Sequence, residues 1–303
     1  MTDYLRELEF GASLDPTAAL ADETLATARR ADELGFDLLG IQDHPYQWRF
    51  LDTWMLIASI LARTGQIRVF PNVANLPLRG PAMIAKQAAS LDVLSNGRFE
   101  LGLGAGAFWE GIRAMGGPER SPREALEALE EAILIIRLCW SGERTVAFEG
   151  RHYSVHGLHP GPPPAHGIGI WIGAYKPRML DLTGRLADGW VPSLPYASPE
   201  QIPLLQERVD AGAIAAGREP TEIRRVYNLM GRITDAPAGE LLHGPADHWV
   251  EELTRFALEL GFDTFVFWPS EDHVDQLERF VREVAPGVRE AVAAGRRTQP
   301  QAT

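Results

Sequence analysis

The sequence predicts a parallel α/β barrel, a (β/α)8 fold in which each of eight strands is followed by a helix. Three observations carry that expectation. Short apolar runs alternate with segments of helical periodicity along the whole chain, and such alternation builds parallel sheets. No long linker interrupts the alternation, and 303 residues suit a closed barrel of about 250 residues with small additions. One phrase also recurs. Glu33-Leu34-Gly35-Phe36-Asp37 returns as Glu259-Leu260-Gly261-Phe262-Asp263, each copy leading into an apolar strand, which marks a repeated helix–glycine–strand joint.

In chain order, Glu9 to Leu14 reads as strand one, and Asp22 to Leu34 as a helix with Leu25, Ala28, Ala31 and Leu34 on one face. Phe36 to Ile41 is strand two, Asp52 to Ala62 a helix, Ile67 to Val73 strand three, and Pro81 to Leu94 a helix opened by proline, where a missing N–H costs little. Ser95-Asn96-Gly97 is a turn. Phe99 to Leu103 is strand four, running into a glycine loop at Gly102, Gly104 and Gly106. Ser121-Pro122-Arg123-Glu124 is a capping box for the next helix. Thr145 to Tyr153 reads as a small hairpin inserted before strand five, Ile168 to Ile172. Pro177 to Ala187 is a helix and Gly189 to Val191 strand six. Ser198-Pro199-Glu200-Gln201 is a second capping box, opening a helix to Ala216. Arg225 to Leu229 is strand seven, Pro245 to Leu260 a helix, Thr264 to Trp268 strand eight, and His273 to Val284 the closing helix. The expectation is one domain over residues 1–303, with the tail 296–303 frayed.

Composition narrows the function. A net charge of −12 argues against nucleic acid or an anionic membrane as partner. The single cysteine, Cys139, excludes an intrachain disulfide and reads as a core thiol. No run reaches the ~20 apolar residues of a membrane span, so the expected location is cytoplasmic. His152, His156, His159 and His166 crowd one region. The spacing of the first two joins zinc ligands only on a helix, and this stretch reads as hairpin and loop, so no metal site is expected.

In a barrel of this kind the loops after the strands face the active site. Asp43-His44 follows strand two, where an acid–histidine pair can move protons or hydrogen-bond a cofactor ring. Asn72, Val73 and Ala74 end strand three and can offer backbone groups to a ligand. Gly104 and Gly106, with Ala107 after them, give a flat ring bare main chain to lie against. Gly173-Ala174 ends strand five before a proline-started helix whose free N–H groups suit a phosphate, with Lys176 and Arg178 adding charge. Trp109, Trp190 and Trp268 fall near strand ends as candidate pocket walls.

Together, Ile41-Gln42-Asp43-His44-Pro45, Leu91 to Gly106, Ile170-Trp171-Ile172-Gly173-Ala174, Ala187-Asp188-Gly189-Trp190 and the hairpin Phe148 to Tyr153 resemble the luciferase-like flavin and deazaflavin oxidoreductases. The resemblance runs in order from about residue 8 to 285. It implies a TIM barrel with coenzyme F420, or alternatively FMN, over the mouth. It gives His44 the place beside the reactive ring carbon, with Asp43 next to it. It puts a non-proline cis peptide at Asn72-Val73 and the phosphate at Gly173-Ala174. It also implies a homodimer acting on a small-molecule substrate, with a flavin reductase or F420 reductase as possible partner. One departure matters. The sugar-phosphate dehydrogenases of the deazaflavin branch carry a catalytic glutamate just after the glycine loop, where this chain has Ala107-Phe108, so an apolar, carbonyl-bearing substrate is expected instead. The expected function is F420-dependent hydride transfer. The alternatives are an FMN-dependent monooxygenase and a flavin-binding protein without turnover.

Overall fold

The computed structural model describes residues 3–298. Its barrel strands are β1 (Glu9–Leu14), β2 (Leu38–Ile41), β3 (Arg68–Pro71, resuming briefly at Ala74–Asn75), β4 (Leu101–Gly104), β5 (Ile170–Ile172), β6 (Gly189–Trp190), β7 (Arg224–Ile233) and β8 (Thr264–Pro269). Each pairs in parallel with its neighbours in the order β3-β2-β1-β8-β7-β6-β5-β4. The ring closes between β4 and β3. Val69 N–H donates to Arg98 O at 2.9 Å and Glu100 N–H donates to Val69 O at 3.1 Å, and Ala74–Asn75 pairs with Leu103–Gly104. The expected eight-fold alternation is therefore the architecture found.

The outer helices are α1 (Ala21–Leu34), α2 (Thr53–Leu61), α3 (Pro81–Ser95), α4 (Pro122–Trp140), α5 (Pro177–Leu186), α6 (Ile202–Ala215) and α7 (Ala246–Leu258). A last helix, α8, runs without a break through His273–Arg279, a π-helical turn at Phe280–Val284, and Ala285–Thr298. Its length corrects the expectation of an end at Val284 and of fraying from residue 296. Arg296 grips the Asp3 carboxylate at 2.8 and 2.9 Å, and Arg289 donates to Leu8 O at 2.7 Å. Residues 299–303 lie outside the described residues.

The repeated phrase does the same work twice. Gly35 and Gly261 take φ of +83° and +70° at the ends of α1 and α7, a conformation open to glycine. Two residues on, Asp37 accepts the Phe10 N–H at 2.7 Å and Asp263 accepts the Arg225 N–H at 2.9 Å. Each aspartate thus holds the neighbouring strand in register as it enters the barrel. Ser121 and Glu124 form the expected capping box on α4. Only half of the second one forms, with Ser198 N–H donating to Gln201 Oε1 at 3.0 Å. Ser198 Oγ turns to Glu200 at 2.6 Å, and α6 begins only at Ile202. The hairpin strands are Val146–Glu149 and Ser154–Leu158, so the turn lies where its second strand was expected. Glu131 of α4 explains this, because its carboxylate accepts the backbone N–H groups of Arg151, His152 and Tyr153 at 2.7–2.9 Å and holds them as the turn.

The barrel interior is layered. Leu38, Phe70, Trp171, Val191, Val226 and Val266 form an inner apolar plug, separate from the larger core between sheet and helices, which includes Cys139. Beneath the plug, Arg68 bridges Glu9 and Glu100, and Arg224 bridges Glu9 and Asp263. Above it lies the mouth.

Candidate active site

Asp43 and His44 leave the end of β2 in a turn in which Gln47 N–H donates to His44 O at 2.9 Å. Pro45 occupies the second position, where its fixed φ suits a turn. The two neighbours have different fates. Asp43 is buried, accepts the Asn75 N–H at 2.9 Å, and receives Arg79 through Nε and Nη2 at 3.2 Å each. Arg79 also reaches Asp52, the N-cap of α2, at 2.6 Å. Asp43 therefore ties the β2 and β3 loops together, and both of its oxygens are engaged.

His44 is half-buried at the mouth. Its Nδ1 lies 2.6 Å from Tyr46 Oη. Phe108 packs edge-on against it, with centroids 5.5 Å apart at 81°, and touches the Tyr46 ring at 6.0 Å. Burial pulls the His44 pKa below the ordinary 6.5, with Asp43 opposing in part, so the ring is neutral at pH 7. Burial and the Asp43 charge push Tyr46 up to about 12.

The Asn72–Val73 peptide is cis, at the position where the resemblance put one. It separates two inward features. Asn72 Nδ2 donates to Asn228 Oδ1 at 2.7 Å, and Asn228 Nδ2 donates to Ser193 Oγ at 3.0 Å, forming a polar chain across the barrel top. Val73 sits between two bare strand ends. A Cβ on Gly104 would lie 2.8 Å from Val73 Cγ2, and one on Gly173 would lie 3.6 Å from it. Val73, one small side chain, thus packs close against the main chain of both strand ends and fills the open side of Gly104. Ala74 is buried beside it, and the side-chain oxygen of the following Asn75 is buried without a partner.

The remaining expected residues divide. Gly106 has φ +99°, and its open side faces Pro77 and Trp109, so it serves packing rather than the mouth. Ala107 is exposed at the rim. Ala174 is buried, and its carbonyl accepts the Trp190 indole N–H at 2.9 Å. Trp190 itself is fully buried and stacked on Phe262, so it packs in the core and walls no pocket. Trp109 and Trp268 are half-buried at strand ends. Lys176 and Arg178 stand exposed at the start of α5 and form no ion pair among the described residues. Arg79 and Arg113 are paired with carboxylates. The histidines of the hairpin region have separate partners. His152 meets Glu127, His156 meets Glu149, His159 meets Arg144 O, and His166 meets Asp92.

Sequence reasoning did not single out Tyr46, Phe108, Ser193 or Asn228. Asn228 carried a signal, since it shares strand parity with the inward Val226. Tyr46 and Phe108 carried none beyond their neighbours, because they meet only when the loops after β2 and β4 close on each other.

Comparisons with known proteins give the family and the fold. Residues 8–239 match the family model described as luciferase-like monooxygenase. The F420-dependent hydroxymycolic acid dehydrogenase of Mycobacterium tuberculosis is 31% identical over 226 residues, 72% of this chain and 61% of that enzyme. The chain therefore spans less than two thirds of that relative's length. The F420-dependent glucose-6-phosphate dehydrogenase of Intrasporangium calvum is 26% identical over 89% of this chain and 94% of that enzyme. An F420-dependent secondary alcohol dehydrogenase, solved with an F420–acetone adduct, superposes with a TM-score of 0.83 at 17% identity, over 93% of this chain and 99% of that one.

Proposed function

The chain belongs to the luciferase-like monooxygenase family, and from that premise we propose that it is an oxidoreductase of the F420-dependent branch, exchanging a hydride between the deazaflavin and a small carbonyl or alcohol. The observation that carries this reading is a half-buried His44 after the end of β2, bonded through Nδ1 to Tyr46, on the same end of the barrel as the glycine strand ends packed around Val73. A flat ring needs a flat wall, and a transfer of hydride to or from carbon needs a proton donor or acceptor for oxygen.

The residues fit such a ring. Val73, Gly104 and Gly173 offer a surface without long side chains, Asn72 and Asn75 offer polar groups, and Lys176 and Arg178 at the start of α5 offer charge to a phosphate or an acidic tail. When bound, the deazaflavin supplies the hydride chemistry. His44 holds the proton, Asp43 and Arg79 hold the loop that carries His44, and the inner plug closes the barrel beneath the mouth.

The substrate side is aromatic. Tyr46 and Phe108 surround His44, and Tyr175 and Tyr196 meet edge-on where the loops after β5 and β6 adjoin. Arg79 in the loop after β3 is already paired with Asp43 and Asp52, which favours an apolar substrate over a sugar phosphate. A homodimer in the cytoplasm, supplied by a separate F420 reductase, completes the reading. Exposed Met55 on α2 and Met83 on α3 give a pairing an apolar face, and no described helix is long and apolar enough to cross a membrane.

Titration with F420 and with FMN, followed by fluorescence quenching, tests the proposal. Micromolar binding of F420 with weaker FMN, then F420-dependent turnover of a ketone or secondary alcohol, is the expected result. Preference for FMN would replace it with the monooxygenase reading.

A further inference from the structure

We propose that Tyr46 positions the His44 imidazole and exchanges protons with its Nδ1, so that His44 works as a neutral acid or base through Nε2. This rests on the reading of His44 as the proton-transfer group of the mouth.

Four observations lead there. The Tyr46 Oη to His44 Nδ1 distance is 2.6 Å, within strong hydrogen-bond range. The adjacent carboxylate is not a competing partner, because Asp43 is filled by Arg79 and the Asn75 N–H. Phe108 packs on both rings. The base of the Tyr46 ring packs against the short helix Trp109–Ala114, where a Cβ on Gly111 would come within 2.7 Å of its Cγ. The phenol is therefore fixed by contacts unrelated to its hydroxyl, and the hydroxyl is aimed at His44.

A hydroxyl does what a carboxylate cannot. An ionised carboxylate only accepts, so it fixes one tautomer and favours the imidazolium. Tyr46 can donate to Nδ1 when Nε2 carries the proton, and accept from Nδ1–H when Nε2 is bare. It serves either direction without charging the ring, in keeping with the lowered pKa of His44. When a carbonyl carbon takes up a hydride, the oxygen receives the Nε2 proton, Nδ1 receives the Tyr46 proton, and solvent at the half-exposed Tyr46 replaces it. In alcohol oxidation each proton moves the opposite way, and the phenol proton leaves to solvent.

The test is Tyr46→Phe, which keeps the ring and its packing. In the unliganded protein, 15N NMR titration of the His44 imidazole is expected to show its midpoint falling by about 0.5 to 1 pH unit, because the imidazolium loses the acceptor of its Nδ1–H. In the loaded enzyme kcat is expected to fall about tenfold, the acid limb of its pH profile to move down, and F420 affinity to stay within about twofold. Adding Tyr46→Phe to His44→Ala is expected to change nothing further. An unmoved His44 midpoint, or an additive double variant, overturns the proposal. A wild-type protein that does not bind F420 overturns the proposed function instead, and the titration of the unliganded protein still decides the role of Tyr46.

Discussion

Two histidines at opposite ends of the barrel are tuned in opposite directions. His44, at the mouth, has a neutral hydroxyl as its partner and a buried setting that lowers its pKa below 6.5. His166, in the loop that enters β5 from below, lies 3.5 Å from Glu100 and 2.7 Å from Asp92, and these carboxylates raise its pKa. The contrast extends to their surroundings. Below the plug, Glu9, Arg68, Glu100, Arg224 and Asp263 join in one network, and Arg6, 3.7 Å from Asp263, supplies the third positive charge for its three acids. At the mouth, Arg79 pairs with both Asp43 and Asp52 off to one side of His44. The lower end spends its charges on fixing strand ends, and the upper end keeps a basic nitrogen free of charge so that it can handle protons.

His44→Ala should separate the two ends most sharply. Turnover is expected to drop about 10²- to 10⁴-fold while cofactor affinity and the urea midpoint hold, and unchanged turnover would remove His44 from the chemistry. Arg68→Ala strikes the other end. It takes one partner from Glu9, which keeps Arg224, and one from buried Glu100, which keeps the Gly169 N–H, with an expected loss of about 1–3 kcal/mol of stability. Urea denaturation measures that loss, and the kcat of the remaining folded protein should be near wild type. A stable variant with poor turnover would erase the division between the ends. Gly104→Ala is a smaller intrusion at the mouth. Its Cβ would press on Val73, for an expected cost of about 1–3 kcal/mol and weaker F420 binding in the same fluorescence titration.

The pH dependences are the finest discriminator. For His44 the working form is neutral, so turnover should fall as pH drops through its folded pKa, below 6.5. An acid limb centred above 6.5 would contradict this. For His166 the folded pKa is raised, so its stabilisation is complete below the unfolded value near 6.5 and fades as pH climbs through the higher folded value. Urea midpoints across that window should decline in the wild type and flatten in His166→Gln.

The barrel was legible because its determinants are local. The glycine that ends a helix and the aspartate that follows it lie within three residues of each other, so Gly35-Phe36-Asp37 and Gly261-Phe262-Asp263 announce the joint in the sequence, although the strands those aspartates hold, at Phe10 and Arg225, lie far back in the chain. His44 was legible for a similar reason, as a polar residue directly after an apolar strand. The polar chain joins Asn72 to Asn228 across 156 residues, and Asp43 meets Arg79 across 36. Nothing local in either segment encodes those meetings, so Asp43 read as chemistry when its geometry is that of an anchor. Ser198 misled for the opposite reason. Its spacing to Gln201 is that of a cap, yet Glu200 offers its hydroxyl a nearer partner.

The grip of Arg296 on Asp3 brings the two extremities of the described chain together under the barrel, on the side away from His44. A surface tether or fused carrier attached through either extremity would therefore present the open mouth to the surrounding solution. A film of such molecules would expose its reactive openings in one common orientation.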